Sequence, residues 1–422
     1  MVINRPAIGI DVAKDFCVYA AVSPNGTILL NPFKALNTKQ GLFFALREIK
    51  KVEDAFGSKP AIVQESTGHF SQRIVHFFLK QELDVFLINP LISHSIKNSS
   101  VRKVKTDQVD AVDLAKLFFT QGLRNTYIPS EALANLKILS RTRFQLVEQR
   151  AGILNQLIAA IEQVAPLFPK VFEPSSLTAL TLLTQFPAPA QWVKTSNHKA
   201  ILQMLESLPR RGKDYAKKKF NALLDCAKDA TFTGIELSAN FRVIQIYADN
   251  LRFMDTQIKA IDDEINQWTE QLPEIALLKS IPGIGGTLAP LIVGEIGDIM
   301  RFTNAKQLVA YCGIDPTVRQ SGNFVGTRNK VTKRGSPFLR KALYVAAITA
   351  IRKNPNGSLV NSVIHEYYKK KIESKPKKQA LGAVMNKLLR IIFSVLKNKQ
   401  PFCLITSEQQ VALYQSLRKK VA

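Results

Sequence analysis

The spacing of hydrophobic and polar positions changes character twice along the 422 residues. Over residues 7–30 it is the spacing of strands. Ala7-Ile-Gly-Ile-Asp-Val and Phe16-Cys-Val-Tyr-Ala-Ala-Val are rich in β-branched and aromatic residues, and Pro24-Asn-Gly-Thr supplies a turn before Ile28. Helical periodicity follows over residues 38–52, then a short buried strand from Pro60 to Glu65. Residues 69–81 read as a helix, and Asp84-Val-Phe-Leu-Ile-Asn-Pro is another buried strand, stopped by Pro90. Strands first, then strand and helix in alternation, predict an α/β domain closing near residue 125.

Beyond that point the strand pattern vanishes. Leu133, Leu136, Ser140, Phe144, Val147, Ala151, Leu154, Ile158 and Ile161 follow three- and four-residue steps, a heptad-like seam. A second seam runs through Phe241, Ile244, Ala248 and Leu251, then Ile258, Ile261, Ile265, Trp268 and Leu272. Two such helices either pair as an antiparallel arm or dimerise with a second chain. The segment between them, about 165–238, is rich in proline at first and then helical and basic, and reads as an insertion at the arm's tip. The expected domains are therefore an α/β domain over 1–128, an arm over 129–274 and a helical domain over 275–422.

Charge sharpens this division. Lys and Arg number 58 against 33 Asp and Glu, a net +25, and residues 301–422 alone carry +20 of it. Excess of that size at one end is the footprint of a polyanionic partner. The basic segments are not built as one amphipathic anchor, so nucleic acid is favoured over an anionic membrane. The four cysteines (Cys17, Cys226, Cys312, Cys403) are scattered with no Cys-x-x-Cys pairing, against zinc and against a disulfide framework. No signal-peptide core is visible at the N-terminus, and Asn386, Lys387 and Arg390 interrupt the apolar run from Leu381 to Leu396. The expectation is a soluble cytoplasmic protein.

Candidate chemistry begins with carboxylates. Asp107, Asp110 and Asp113 recur at three-residue intervals and share a helix face. Alone they would be a solvated acidic stripe. Asp11, however, stands mid-strand between residues expected to be buried, where a charge is expensive unless paired or bound to a cation. Glu65 closes a second buried strand, where parallel sheets place functional groups. Asp11, Glu65, Asp107 and Asp110 together form a set able to hold two Mg²⁺ ions for in-line phosphodiester chemistry. Asp113 and Asp15 read as surface charges. The rival for Gly9-Ile-Asp-Val-Ala-Lys is the first phosphate loop of an actin-like sugar kinase, but no Asp-x-Gly occurs anywhere in the chain.

Leu278-Lys-Ser-Ile-Pro-Gly-Ile-Gly-Gly predicts two helices around a hairpin whose Gly283 and Gly285 let backbone N–H groups grip a phosphate; a plain tight helix–helix turn is the alternative. After it comes a glycine-punctuated basic loop with Arg319, Arg328, Lys330, Lys333 and Arg334, suited to a phosphate backbone, and then a helix over 337–351. Ser321 lies in this loop. Composition alone makes it a turn residue, and with no His nearby any activation would come from metal or arginine.

Gly9-Ile-Asp-Val-Ala-Lys, Glu65-Ser-Thr-Gly-His, Lys105-Thr-Asp-Gln-Val-Asp-Ala and the block from Ile281-Pro-Gly-Ile-Gly through Ser321-Gly to Lys333-Arg-Gly resemble the one-hundred-and-ten family of insertion-sequence transposases, relatives of the pilin-gene invertases. The resemblance covers nearly the whole chain. It implies an RNase H/RuvC-like N-terminal domain, a coiled-coil arm, and a C-terminal transposase domain with a helix-hairpin-helix-like element. It puts the family's metal-binding tetrad at Asp11, Glu65, Asp107 and Asp110 and its catalytic serine at Ser321. It further implies a covalent phosphoserine link to DNA, a composite site made by two subunits of a dimer or tetramer, and a structured bridge RNA that pairs with donor and target DNA. Ser336, where family members often carry Asn, is expected to be structural. Two other functions remain in play: a Holliday-junction-type endonuclease using the carboxylates alone, and a non-catalytic nucleic-acid scaffold.

Overall fold

The computed structural model describes residues 4–66, 68, 70–88, 90, 106–120, 122–123, 126–207, 212–317, 320–321, 324–325, 330–404 and 409. They fall into two compact units, residues 1–128 and 129–422.

In the first unit, β1 (Ala7–Val12), β2 (Phe16–Val22), β3 (Ile28–Leu36), β4 (Ala61–Glu65) and β5 (Val85–Ile88) form one sheet in the order β3-β2-β1-β4-β5. β1 runs antiparallel to β2 and parallel to β4, and β4 is parallel to β5. β1 and β4 are therefore flanked on both sides by strands, and because helices cover both faces of the sheet they are apolar as far as Ile10 and Val63. Period-two alternation divides the side chains. Ile8, Ile10, Tyr19 and Ile62 face α1 (Lys39–Phe56) and α2 (Phe70–Lys80), whereas Ala7, Val18, Val63 and Phe86 face α3 (Asp107–Thr120). Thr38 caps α1, its Oγ1 accepting from Gly41 N at 3.2 Å.

The crossing of α3 over β1 sets the geometry of this unit. A Cβ on Gly9 would lie 1.8 Å from the carbonyl oxygen of Ala111 and 2.6 Å from Ala115 N. Only glycine lets helix and strand backbones approach this closely.

Among its described residues, the second unit is helical apart from loops, a short ribbon and an isolated bridge between Lys353 and Leu359. Its arm consists of α4 (Glu131–Val164) and α10 (Ser238–Thr269), packed together within one chain, so the intrachain alternative is the one adopted. Arg143 pairs with Asp262 and Arg150 with Asp255, at 2.5 Å each. Seven residues forward on one helix match seven backward on the other, which makes the pair antiparallel with a heptad repeat. The seam is not continuous. Leu136 and Ile265 are buried at one end and Leu157, Ile161, Ile244 and Leu251 at the other, but Val147 and Ala151 in the middle stand exposed.

At the arm's tip, α5 (Phe168–Val171), α6 (Leu177–Gln185), α7 (Pro189–Val193), α8 (Thr195–Ser207) and α9 (Lys213–Thr233) wrap a core around Phe168, Leu180, Trp192 and Leu223 that they share with Leu157, Ile161, Ile244 and Leu251 of the arm. The Trp192 Nε1–H donates to the Phe186 carbonyl at 2.7 Å, so the indole is buried without an orphaned donor. The other end of the arm merges with the C-terminal helices: Leu136 and Ile265 belong to the same core as Ile281, Ile292, Leu343 and Leu388.

The last long helix, Lys377–Asn398, is apolar and long enough to cross a membrane by length and composition, despite Asn386, Lys387 and Arg390. Its Val384, Leu388, Ile392 and Val395 are instead buried in that core, and Lys397 Nζ donates to the Phe302 carbonyl at 3.0 Å. Protein, rather than lipid, covers one side of it.

Candidate functional site

The sheet positions the first two carboxylates. Ile10 and Gln64 are paired neighbours on β1 and β4, so Asp11 and Glu65 follow one residue later at the C-terminal end of these parallel strands. Alternation from Gly9 and from Val63 sends both side chains to the face crossed by α3. Asp11 is half-buried, with Ile10 sealed and Val12 only half-covered, so the charge is less enclosed than the mid-strand position suggests. Glu65 is half-buried too.

α3 brings the other pair. Asp107 and Asp110 occupy its first turn, where a carboxylate is favoured by the unpaired N–H groups, and Thr106 Oγ1 accepts from Val109 N at 3.3 Å. Asp107 is exposed. Asp110 is 7 % exposed and precedes Ala111, the residue that rests on Gly9. Asp113 is half-buried, on a turn of α3 that lies among buried Ala111, Val112 and Leu114. Among the described residues, no three His, Cys, Asp or Glu side chains are grouped so as to hold a metal ion. The donor chemistry does suit a hard divalent cation, since all four groups offer carboxylate oxygens.

In the second unit the expected hairpin lies between α11 (Pro273–Lys279) and α12 (Leu288–Ile296), and α13 (Ala305–Cys312) follows. Its glycines have different surroundings. Gly283 has φ +109° and lies against α14 (Pro337–Ile351), where a Cβ would meet the Ala350 Cβ at 2.8 Å. Gly285 is exposed with nothing within 4 Å of an added Cβ, leaving its backbone approachable. Packing therefore dictates the first glycine, and open space surrounds the second.

The basic loop has more order than its glycines suggest. Thr317 N donates to the Lys330 carbonyl at 2.7 Å, Thr332 N to the Asp315 carbonyl at 3.0 Å, and Lys333 N to the Gly313 carbonyl at 3.0 Å. Pro316 bridges Val331, and β6 (Gln320–Ser321) pairs antiparallel with β7 (Phe324–Val325). Where it is described, the segment is thus a two-stranded ribbon, with Ser321 the last residue of its strand. The signal was present in the sequence: Gly322-Asn323 between the strand residues Ser321 and Phe324 is a two-residue hairpin pattern. Lys330, Lys333 and Arg334 are exposed near the ribbon's base. Arg319, Arg328 and the Ser321 side chain lie outside the described parts of the structure.

A buried ionic network at this base was not anticipated. Glu295, sealed in α12, takes a two-pronged pair from Arg141 of α4: Nε bonds Oε1, and Nη2 bonds Oε2 at 2.9 Å. Ser336 Oγ donates to Glu295 Oε2 at 2.7 Å and accepts from Leu339 N at 3.2 Å, so it caps α14 while tying that helix to α12. This is the structural role expected of Ser336. Burial pushes the Glu295 pKa up, but the bonds from Arg141 and Ser336 outweigh it and hold the carboxyl below its ordinary value. A lone Glu in the apolar run Leu291-Ile-Val-Gly-Glu-Ile was the available clue, because a charge there needs a partner.

Comparison with known proteins agrees with both halves. A family model described as a transposase, DEDD_Tnp_IS110, matches residues 8–166, and one described as the transposase IS116/IS110/IS902 family matches residues 275–361. The pilin gene-inverting protein of Moraxella bovis is 24% identical over 94% of this chain and 98% of its own length. The insertion element IS116 uncharacterized 44.8 kDa protein of Streptomyces clavuligerus is 22% identical, covering 94% and 96%. The mini-circle putative transposase for IS117 of Streptomyces coelicolor is 29% identical over 65% and 68%. Fold and matches define a DNA transposase or recombinase, an enzyme that cuts and rejoins DNA. Within that class, the chain belongs to the IS110 family.

Proposed function

We propose that this transposase breaks and rejoins donor and target DNA with Ser321 as nucleophile, assisted by divalent metal, Mg²⁺ in two sites, held by Asp11, Glu65, Asp107 and Asp110. The reading is supported chiefly by one arrangement: Asp11 and Glu65 end adjacent parallel strands on the face that α3 crosses, and α3 opens with Asp107 and buried Asp110. The sheet order, with an antiparallel meander before two parallel strands, is compatible with an RNase H/RuvC-like domain.

The chemistry is a balanced exchange. The Ser321 oxygen forms a bond to the scissile phosphorus, the bond to the deoxyribose oxygen breaks, and that oxygen leaves as a hydroxyl carrying a proton. One phosphodiester replaces another, so the reverse attack rejoins DNA without an external energy source. A bound divalent cation would stabilise charge on the phosphoryl oxygens. The ribbon presents Ser321 at a strand end, while Lys330, Lys333 and Arg334 are placed to neutralise backbone phosphate. Sequence choice is assigned to a bridge RNA, with the protein holding backbones, and the working assembly is a homodimer or tetramer in which one subunit's tetrad meets another's serine.

Adduct trapping tests this. Purified protein with its co-purifying RNA is mixed with labelled element-end DNA and denatured. A covalent protein–DNA species is expected from wild type, and from neither Ser321→Ala nor Asp11→Asn. Cleavage that survives Ser321→Ala would favour the junction-endonuclease reading, and DNA processing that survives Asp11→Ala a scaffold. A protein that carries no RNA would remove the guided step and leave the recombinase reading standing.

A further inference from the structure

A cavity of about 310 Å³ opens on the first unit, on the sheet face opposite α3. Its wall from α2 carries Phe70, Arg73, His76, Phe77 and Lys80, and Lys14 approaches from the β1–β2 turn. Arg73, His76 or Phe77, and Lys80 fall three, four and seven residues apart, so one helix face presents cations interleaved with an aromatic ring. Ile74, at the cavity's floor, and Phe78 are buried in the core, which fixes the helix's rotation. Among the described lining residues there is no Asp or Glu. Phe70 is exposed, and Phe77 is held edge-on to Phe43 at 5.6 Å. Asn37 donates to the carbonyls of Ala13 and Lys14 at 2.9 and 3.1 Å, pinning the turn that carries Lys14.

The cavity's position gives it meaning. Lys14 is three residues beyond Asp11, and Phe70 five beyond Glu65, so the cavity and the candidate carboxylates share one end of the sheet on opposite faces. We propose that this cavity takes an unstacked nucleotide of a single nucleic-acid strand running over that end. Aromatic rings in a cationic groove are the recurring solution for single strands, because every base offers a π-face and every linkage a negative charge. The volume lies at the lower end of the roughly 300–1,000 Å³ typical of small-ligand pockets, room for one nucleotide and not for a duplex. Arg73 and Lys80 stand about 10 Å apart along α2, spanning the space on either side of one base. The proposal rests on the recombinase reading for the strand's origin, which is either the processed DNA or a guide RNA.

The test uses the full-length protein and 20-nucleotide single-stranded DNA, single-stranded RNA and duplex DNA, each with a 2-aminopurine reporter. Single strands should quench the reporter on binding. Phe70→Ala and the double variant Arg73→Glu/Lys80→Glu should lose that quenching and bind single strands at least about five-fold more weakly, with duplex binding within two-fold of wild type. Phe70 is exposed, so its variant should melt with wild type. Tighter binding of RNA or of DNA assigns the strand's source, and either supports the pocket. Unchanged quenching and affinity in both variants would overturn it, as would equal losses on duplex. Asp110→Asn separates the two readings: it should quench as wild type does while losing cleavage. Cleavage that persists in Asp110→Asn counts against the catalytic proposal alone, and quenching that ignores Phe70 and Arg73/Lys80 counts against the pocket alone.

Discussion

Arg141 and Glu295, 154 residues apart, form a two-pronged ion pair that fastens the base of the arm to the helix behind the ribbon, and Ser336 completes it. Glu295 is sealed from solvent, so removing its partner strands a charge where water cannot reach. Arg141→Ala should therefore destabilise the second unit by about 3–5 kcal/mol, far more than an exposed pair would. Ser336→Ala loses a helix cap and one bond to the carboxylate, and about 1–3 kcal/mol is expected. Urea denaturation followed by circular dichroism measures both.

The same pair fixes a pH dependence. The Glu295 carboxyl is held below its ordinary value in the folded chain, so its contribution is fully present above the unfolded pKa of about 4.3 and lost as pH falls through the folded value. Glu295→Gln should be less stable than wild type at pH 7, and the gap should narrow from about pH 4.5 downward. A gap that widened on acidification would contradict the assignment.

Gly9→Ala is expected to be among the most damaging small changes in the first unit. The added methyl would overlap the Ala111 carbonyl, and backbone cannot step aside as a side-chain tip can. A loss of about 1–3 kcal/mol, or more if α3 detaches, should appear as a lower first melting transition. DNA retention by the basic second unit should survive, which distinguishes this lesion from general unfolding.

What could be read from the sequence divides along physical lines. Strands β1, β2, β4 and β5 carry strong local signals, and the three-residue spacing of Asp107 and Asp110 placed them on one helix. The nearness of Asp11 to Glu65 needs strand order, which periodicity does not encode. The ribbon was hidden because glycine and lysine suppress the strand pattern, although Gly322-Asn323 is a two-residue hairpin pattern in the sequence. The Arg141–Glu295 pair joins distant segments, and only the lone charge in an apolar run hinted at it. The open middle of the arm's seam, at Val147 and Ala151, follows from heptad spacing recording which residues are able to pack and not which do.

Thiol chemistry offers a check on burial in every part of the chain. Cys17, Cys226 and Cys312 are buried, and burial pushes their pKa values up to about 11, 11 and 12, so almost no thiolate exists at neutral pH. Cys403 is exposed. One equivalent of a maleimide should react in the native protein at pH 7.5 and three more after unfolding. Cys403→Ser should abolish the native reaction. Rapid native labelling of Cys312 would mean that the base of the ribbon opens readily.

Lys333 carries the last prediction. It has φ +56°, a left-handed conformation that costs a non-glycine residue roughly 1–2 kcal/mol, while its N–H donates to the Gly313 carbonyl and its side chain is exposed. Glycine would remove the strain but lose about 0.5–1 kcal/mol to chain entropy, so Lys333→Gly should leave stability within about 1 kcal/mol of wild type. If the side chain instead serves phosphate binding, the same substitution removes one counterion released on association. The slope of log affinity against log salt should then fall by about 0.9 on duplex DNA, uniformly across sequences. Filter binding from 50 to 200 mM salt reads that slope, and thermal melting of the same preparation reads stability. An unchanged slope would remove Lys333 from the DNA contacts; a lower slope with unchanged melting would mean that a lysine occupies a position suited to glycine because of its charge.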